Sequence, residues 1–184
     1  VGSLKGPKHG GANRQVLAQF SLIKQTVRDW KDDDAVADCV GRILRRELGD
    51  GSGLIYGMGH AVYTLSDPRT VILRQSARTL AAQRGMLDEL ELMEAVERVT
   101  PRVFAEITGH EKVMCANVDM YSGLIYQMLD IPPDLFTPLF AVARITGWCA
   151  HRMEEVLTGG RLYRPAYKSL TRHREYIPMA ARTY

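Results

Sequence analysis

His60 and Arg69 stand nine positions apart in Gly57-Met58-Gly59-His60-Ala61-Val62-Tyr63-Thr64-Leu65-Ser66-Asp67-Pro68-Arg69. Gly57 and Gly59 allow backbone dihedrals and a closeness of approach to a ligand that other residues resist. Asp67-Pro68 reads as a helix N-cap followed by proline in the first turn. Arg69 then sits where free backbone N–H groups and the helix dipole already favour an anion. An imidazole and a guanidinium so placed suit a substrate with a reactive carbonyl and a carboxylate.

Four further stretches put polar, reactive side chains beside tight backbone. In Gly6-Pro7-Lys8-His9-Gly10-Gly11-Ala12-Asn13 a histidine precedes a helix, whose dipole favours the neutral imidazole as a hydrogen-bond donor. In Asn117-Val118-Asp119-Met120-Tyr121-Ser122-Gly123 an aspartate lies in apolar company. Burial there would raise its pKa and make it a base, and an acid at a helix start is the plainer reading. In Phe140-Ala141-Val142-Ala143-Arg144-Ile145-Thr146-Gly147-Trp148 one arginine interrupts an apolar helix. Such a charge either meets an internal carboxylate or binds an anionic ligand. Arg161-Leu162-Tyr163-Arg164-Pro165 is a basic segment past a helix end, with a solvated loop as its default reading.

Helices must position these groups. Val16, Leu17, Phe20, Ile23 and Val27 recur at helical spacing within 12–28. The run Asp32-Asp33-Asp34 suits the start of the next helix as a charged cap, not a metal site. That helix carries Val36, Cys39, Val40, Ile43 and Leu44 and is expected to end near Gly49. A helix over 68–84 stops at Gly85. The next covers 87–107, with Leu87, Leu90, Met93, Val96 and Phe104 inward and Pro101 expected to kink or interrupt it. Helices over 117–130 and 138–157 follow. The segment 161–184 is rich in Arg and Tyr without amphipathic period, either a docked tail or one that needs a partner to order it. Nothing alternates long enough for a sheet, so the fold class is all-α.

The 184 residues suffice for one sizeable core or two small ones. With 46% hydrophobic and 24% charged residues, the composition is that of a soluble globular protein. A net charge of +3 without Lys/Arg runs argues against nucleic acid as a partner. No apolar run approaches a membrane span, and the N-terminus does not read as a signal peptide. Cys39, Cys115 and Cys149 read as buried free thiols in a reducing, cytoplasmic compartment, and no spacing resembles a metal site. Because the chain opens without methionine, straight into a loop of functional character, a piece of a longer protein is expected.

The stretches GPKHGGAN, GMGHAVYTLSDPR, NVDMYSG, FAVARITGW and RLYRP together resemble the C-terminal half of citrate synthase, in that family's order. The resemblance implies a Claisen-type acyltransferase that condenses oxaloacetate with acetyl-CoA and water to citrate and CoA, in the tricarboxylic acid cycle. No cofactor is implied beyond the CoA thioester as substrate. His9 would hydrogen-bond the acetyl-CoA carbonyl and stabilise its enol. His60 would bind oxaloacetate and polarise its ketone. Asp119 would remove the methyl proton. Arg69, Arg144 and Arg164 would grip carboxylates, Arg164 across the interface of a homodimer formed through the large domain. The main chain of Tyr56, Gly57, Met58 and Gly59 would line the CoA site. The resemblance divides the chain into a small helical domain at 10–115 and parts of a large domain at 1–9 and 116–184. It also places a further oxaloacetate-binding histidine upstream, so this chain alone is expected to be inactive, with apolar surface exposed on its last long helix. A 2-methylcitrate synthase using propionyl-CoA, a citrate-cleaving relative running the chemistry in reverse, and a non-catalytic dimerisation module remain alternatives.

Overall fold

The computed structural model describes residue 4, residues 11–110, 114–159, 175 and 177–182. Six α-helices account for most of them: α1 (Ala12–Thr26), α2 (Asp33–Leu44), α3 (Pro68–Arg84), α4 (Leu87–Thr108), α5 (Val118–Met128) and α6 (Phe136–Thr158). Short 3-10 turns lie at Pro133–Leu135 and Met179–Ala181. No strand occurs among the described residues; one isolated antiparallel bridge joins Met58 to Ala116. The all-α expectation holds.

The chain forms two compact units, residues 1–145 and 146–184, with the boundary inside α6. In the first unit α2 packs on α4, α3 on α5, and α1 on α5. Their inner faces make one core, in which Ile23, Val40, Leu90, Val96, Met120 and Leu124 are almost fully enclosed. The apolar positions read on α1 are buried at Val16, Phe20 and Ile23, and those on α2 at Val36, Cys39, Val40 and Ile43. Asp32 caps α2 by accepting from the N–H groups of Asp34 and Ala35, as the acidic run suggested.

Several local expectations are corrected. Helix α2 ends at Leu44, well before Gly49, because the chain turns at once into a left-handed residue, Arg46, at φ 66°. Pro101 does not interrupt α4, which runs unbroken from Leu87 to Thr108. Val96, Val99, Thr100 and Val103 are buried on both sides of it, and that packing outweighs one lost backbone hydrogen bond. Leu87, at the first position of α4, is exposed, while Leu90, Met93 and Val96 are buried. Cys149 is exposed on α6, in contrast to Cys39 and Cys115, which are buried; all three are free thiols. Among the described residues α6 encloses only Phe136, and Val142, Ile145, Met153, Val156 and Leu157 are exposed along it. The apolar surface expected on this helix is therefore present. No helix among the described residues is long and apolar enough to cross a membrane.

Candidate active site

The stretch between α2 and α3 has no regular secondary structure, yet it carries His60 and leads into Arg69. Its backbone turns through glycines at positive φ, 87° at Gly57 and 88° at Gly59. Gly57 is required twice over, because a Cβ there would stand 2.8 Å from the Met120 sulfur. The segment before α5 holds this loop down. The Gly59 N–H donates to the Cys115 carbonyl at 2.8 Å, and the Asn117 N–H donates to the Gly57 carbonyl at 2.8 Å. The Asn117 side-chain amide donates to the Gly59 carbonyl at 2.9 Å. The Cys115 thiol donates to the Tyr63 carbonyl at 3.4 Å. On the far side, Gln19 of α1 donates to the Leu54 carbonyl at 2.9 Å and accepts from the Tyr56 N–H at 3.0 Å.

His60 is half-buried and its ring orientation is fixed. Its Nδ1 accepts from the backbone N–H groups of Val62, at 2.9 Å, and Tyr63, at 3.0 Å. In the neutral ring this leaves the proton on Nε2, which makes Nε2 the donor to a substrate oxygen. Nε2 lies 3.3 Å from Nη2 of Arg69, itself a donor, so in this tautomer the two are neighbouring donors and not hydrogen-bonded to each other. Arg69 is aimed by Asp67, whose buried carboxylate takes its Nε at 3.0 Å and its Nη2 at 2.7 Å. The same carboxylate accepts from the Arg69 backbone N–H and so caps α3, as the sequence suggested. The Arg69 guanidinium holds the Asp67 carboxyl below the usual carboxylate range. Arg69 Nη1 has no hydrogen-bond partner among the described residues, which leaves that edge for a ligand carboxylate.

Asp119 occupies the first turn of α5, behind the N-cap Asn117, whose side-chain oxygen accepts the Asp119 N–H at 3.0 Å. Burial raises its carboxyl above the ordinary value, and the charges of Arg69 and Arg144 pull the other way. That combination suits a base: less well solvated than a surface carboxylate, with two cations that favour its charged form. Arg144 is exposed, its guanidinium 5.8 Å from the Phe140 ring centroid. Among the described residues it makes no hydrogen bond to a carboxylate, although its charge acts on Asp119. Asp119, Arg144, Phe140 and Asn13 share a cavity of about 100 Å³. Two open grooves are larger but lie elsewhere, one of about 680 Å³ among ion-paired side chains of α3 and α4, the other of about 660 Å³ bordering Tyr56.

The structure thus draws His60, Arg69, Asp119 and Arg144 toward one region, through the 3.3 Å approach of Arg69 to His60 and the fields of Arg69 and Arg144 at Asp119. Tyr56 to Gly59 lead directly into His60 along the chain, with the Tyr56 hydroxyl donating to Asp50 at 2.6 Å. His9 and Arg164 lie outside the described residues. Asn117 and Gln19 were not singled out in the sequence. Asn117 is readable as an N-cap, and Gln19 as a polar residue on the stripe of Val16, Phe20 and Ile23; neither pattern announces the loop each one binds.

Residues 1–166 match the family model described as citrate synthase, C-terminal domain. A citrate synthase of Synechocystis is 40% identical over 99% of this chain and 42% of its own length. A 2-methylcitrate synthase of Shewanella oneidensis is 35% identical over 99% of this chain and 43% of its own length. The citrate synthase of Thermoplasma acidophilum, solved in ternary complex with carboxymethyl coenzyme A and oxaloacetate, aligns with a TM-score of 0.66 at 30% identity. That alignment covers 98% of this chain and 44% of the Thermoplasma one. The chain spans less than half the length of the relatives it matches, and it belongs to the citrate synthase family.

Proposed function

We propose that the full-length protein is an acyltransferase that condenses oxaloacetate with acetyl-CoA and water, giving citrate and CoA. The observation that carries this reading is the convergence of a half-buried Asp119, its carboxyl pushed above the ordinary value by desolvation, with the Arg69–His60 pair. A thioester methyl is a very weak acid, so one carboxylate must be helped by donors placed where enolate and alkoxide charge develop. Asp119 takes the methyl proton. His9, just ahead of α1 in the sequence, donates to the thioester oxygen as the enol forms. His60 donates from Nε2 to the ketone of oxaloacetate as the new carbon–carbon bond places charge on that oxygen. Arg69 and Arg144 hold the carboxylates of oxaloacetate by planar, paired hydrogen bonds, with Arg164 of a partner copy in a homodimer. Hydrolysis of the citryl thioester then releases CoA, and the main chain of Tyr56 to Gly59 lines the CoA site.

The division into a small domain at 10–115 and large-domain parts at 1–9 and 116–184 belongs to this reading. So do a place in the tricarboxylic acid cycle, a cytoplasmic location, and inactivity of the 184-residue chain by itself. The second reading, a 2-methylcitrate synthase using propionyl-CoA through the same residues, is supported by relatives of that name at 35% and 36% identity. The test is CoA release by the full-length protein, followed with a thiol reagent, on oxaloacetate with acetyl-CoA or propionyl-CoA. A higher kcat/KM for acetyl-CoA supports the first reading, and a higher one for propionyl-CoA the second. Turnover with neither, from a folded dimer, overturns both.

A further inference from the structure

We propose that Gln19 and Asn117 are positioning residues that brace the backbone leading into His60, and that Asn117 sets His60 relative to Asp119. Among the described residues the irregular backbone at 54–59 has one isolated bridge to a neighbouring segment, Met58 to Ala116, yet Ile55 and Gly57 are buried and the polar groups around them need partners. Two side-chain amides supply further ones. Gln19, only 7% exposed, gives one donor and one acceptor to residues 54 and 56. Asn117 continues the pattern, with its backbone N–H on the Gly57 carbonyl and its side-chain N–H on the Gly59 carbonyl. Its side-chain oxygen meanwhile accepts the N–H of Asp119. One side chain thus joins the backbone of the proposed base to the residue immediately before His60.

This inference rests on the condensation reading above. The group at 117 must be an amide, because a hydroxyl is too short to serve both ends and a carboxylate has no donor for Gly59. Alignment of base and imidazole matters to the reacting geometry more than to substrate capture, so its loss falls on kcat.

The test uses the full-length protein. Asn117→Ser keeps an oxygen for the helix cap and gives up the Gly59 hydrogen bond. It is expected to lower kcat roughly 10- to 100-fold, with both KM values within about threefold of the parent. Introduced into a His60→Ala background, the same substitution is expected to change kcat by less than about threefold, because no imidazole remains to misplace. Gln19→Leu, which grips the same loop from α1 without touching α5, gives the same signature and stands in if Asn117→Ser does not fold. Unchanged kcat in both variants, full additivity with His60→Ala, or a rise in KM at constant kcat overturns the inference while leaving the condensation reading in place. A parent protein without condensing activity removes both together.

Discussion

Asp67 and Arg69, two residues apart, grip each other side chain to side chain while the same carboxylate caps the helix that Arg69 begins. Replacing Asp67 by alanine removes the cap, at a cost of about 1 kcal/mol. Arg69 is half exposed, so its ion pair adds little stability of its own. Its aim is the greater loss: the KM for oxaloacetate is expected to rise about tenfold as the guanidinium is freed to rotate. The folded pKa of Asp67 is lowered, so its contribution is full above the unfolded carboxylate value and lost as pH falls through the folded one. Thermal unfolding of Asp67→Ala and parent should accordingly differ at pH 7 and converge in acid.

Asp119 has the opposite sign. Its folded pKa is raised, so the folded state binds the proton more tightly than the unfolded chain does. Stability from this group is present below the unfolded carboxylate value and is lost as pH rises through the folded one; at pH 7 the charge is a burden. Asp119→Asn is expected to raise the melting temperature at neutral pH while lowering kcat by roughly 10²- to 10⁴-fold. A variant with neither effect would remove Asp119 from the role of buried base.

The pH–rate profile should show the neighbouring cation. Arg144 favours the ionised form of Asp119, so Arg144→Leu is expected to move the acidic limb of kcat to higher pH. The profile, measured at saturating oxaloacetate, separates this shift from weaker binding.

The two glycines before His60 should answer differently to alanine. Both have φ near +90°, which costs a side chain roughly 1–3 kcal/mol. At Gly59 a Cβ meets nothing within 4 Å, whereas at Gly57 it meets the sulfur and backbone of Met120 at 2.8 and 3.0 Å. Urea unfolding is therefore expected to show Gly57→Ala less stable than Gly59→Ala by a further 1–3 kcal/mol or so. Equal losses would mean that α5 yields at Met120.

Thiol labelling reads the state of α6. In the 184-residue chain Cys149 is exposed and Cys39 and Cys115 are buried, so one thiol should react at once and two only on unfolding. In the full-length protein Cys149 is expected to react slowly, since the apolar residues around it need cover. Equal rates in both proteins would show that the helix stays open to solvent.

Helix content and the inner faces of α1 and α2 were legible because a period of 3.6 is local information. Asp67-Pro68 told the start of α3 for the same reason. What stayed hidden depends on tertiary context. Pro101 obeys local rules that burial overrides, and Leu87 and Cys149 look like core residues until their helices are placed. Within the site, residue types identified His60, Arg69, Asp119 and Arg144. The side-chain hydrogen bonds that hold the loop before His60 join positions 35 to 58 residues apart, as in Gln19 to Leu54 and Asn117 to Gly59, and no spacing rule reaches that far.

The loop between α2 and α3 is tied unevenly, and this bears on how its length can vary over evolution. Residues 54, 56, 57 and 59 are each hydrogen-bonded to side chains or backbone from α1 or the entry to α5. An inserted residue there would shift every later partner by one place and turn His60 away. Val62 and Tyr63 are tied to His60 and Cys115, whereas residues 64–66 are exposed on the way into α3. Insertions and deletions among relatives should therefore collect between Tyr63 and Asp67 and be purged between Leu54 and Tyr63.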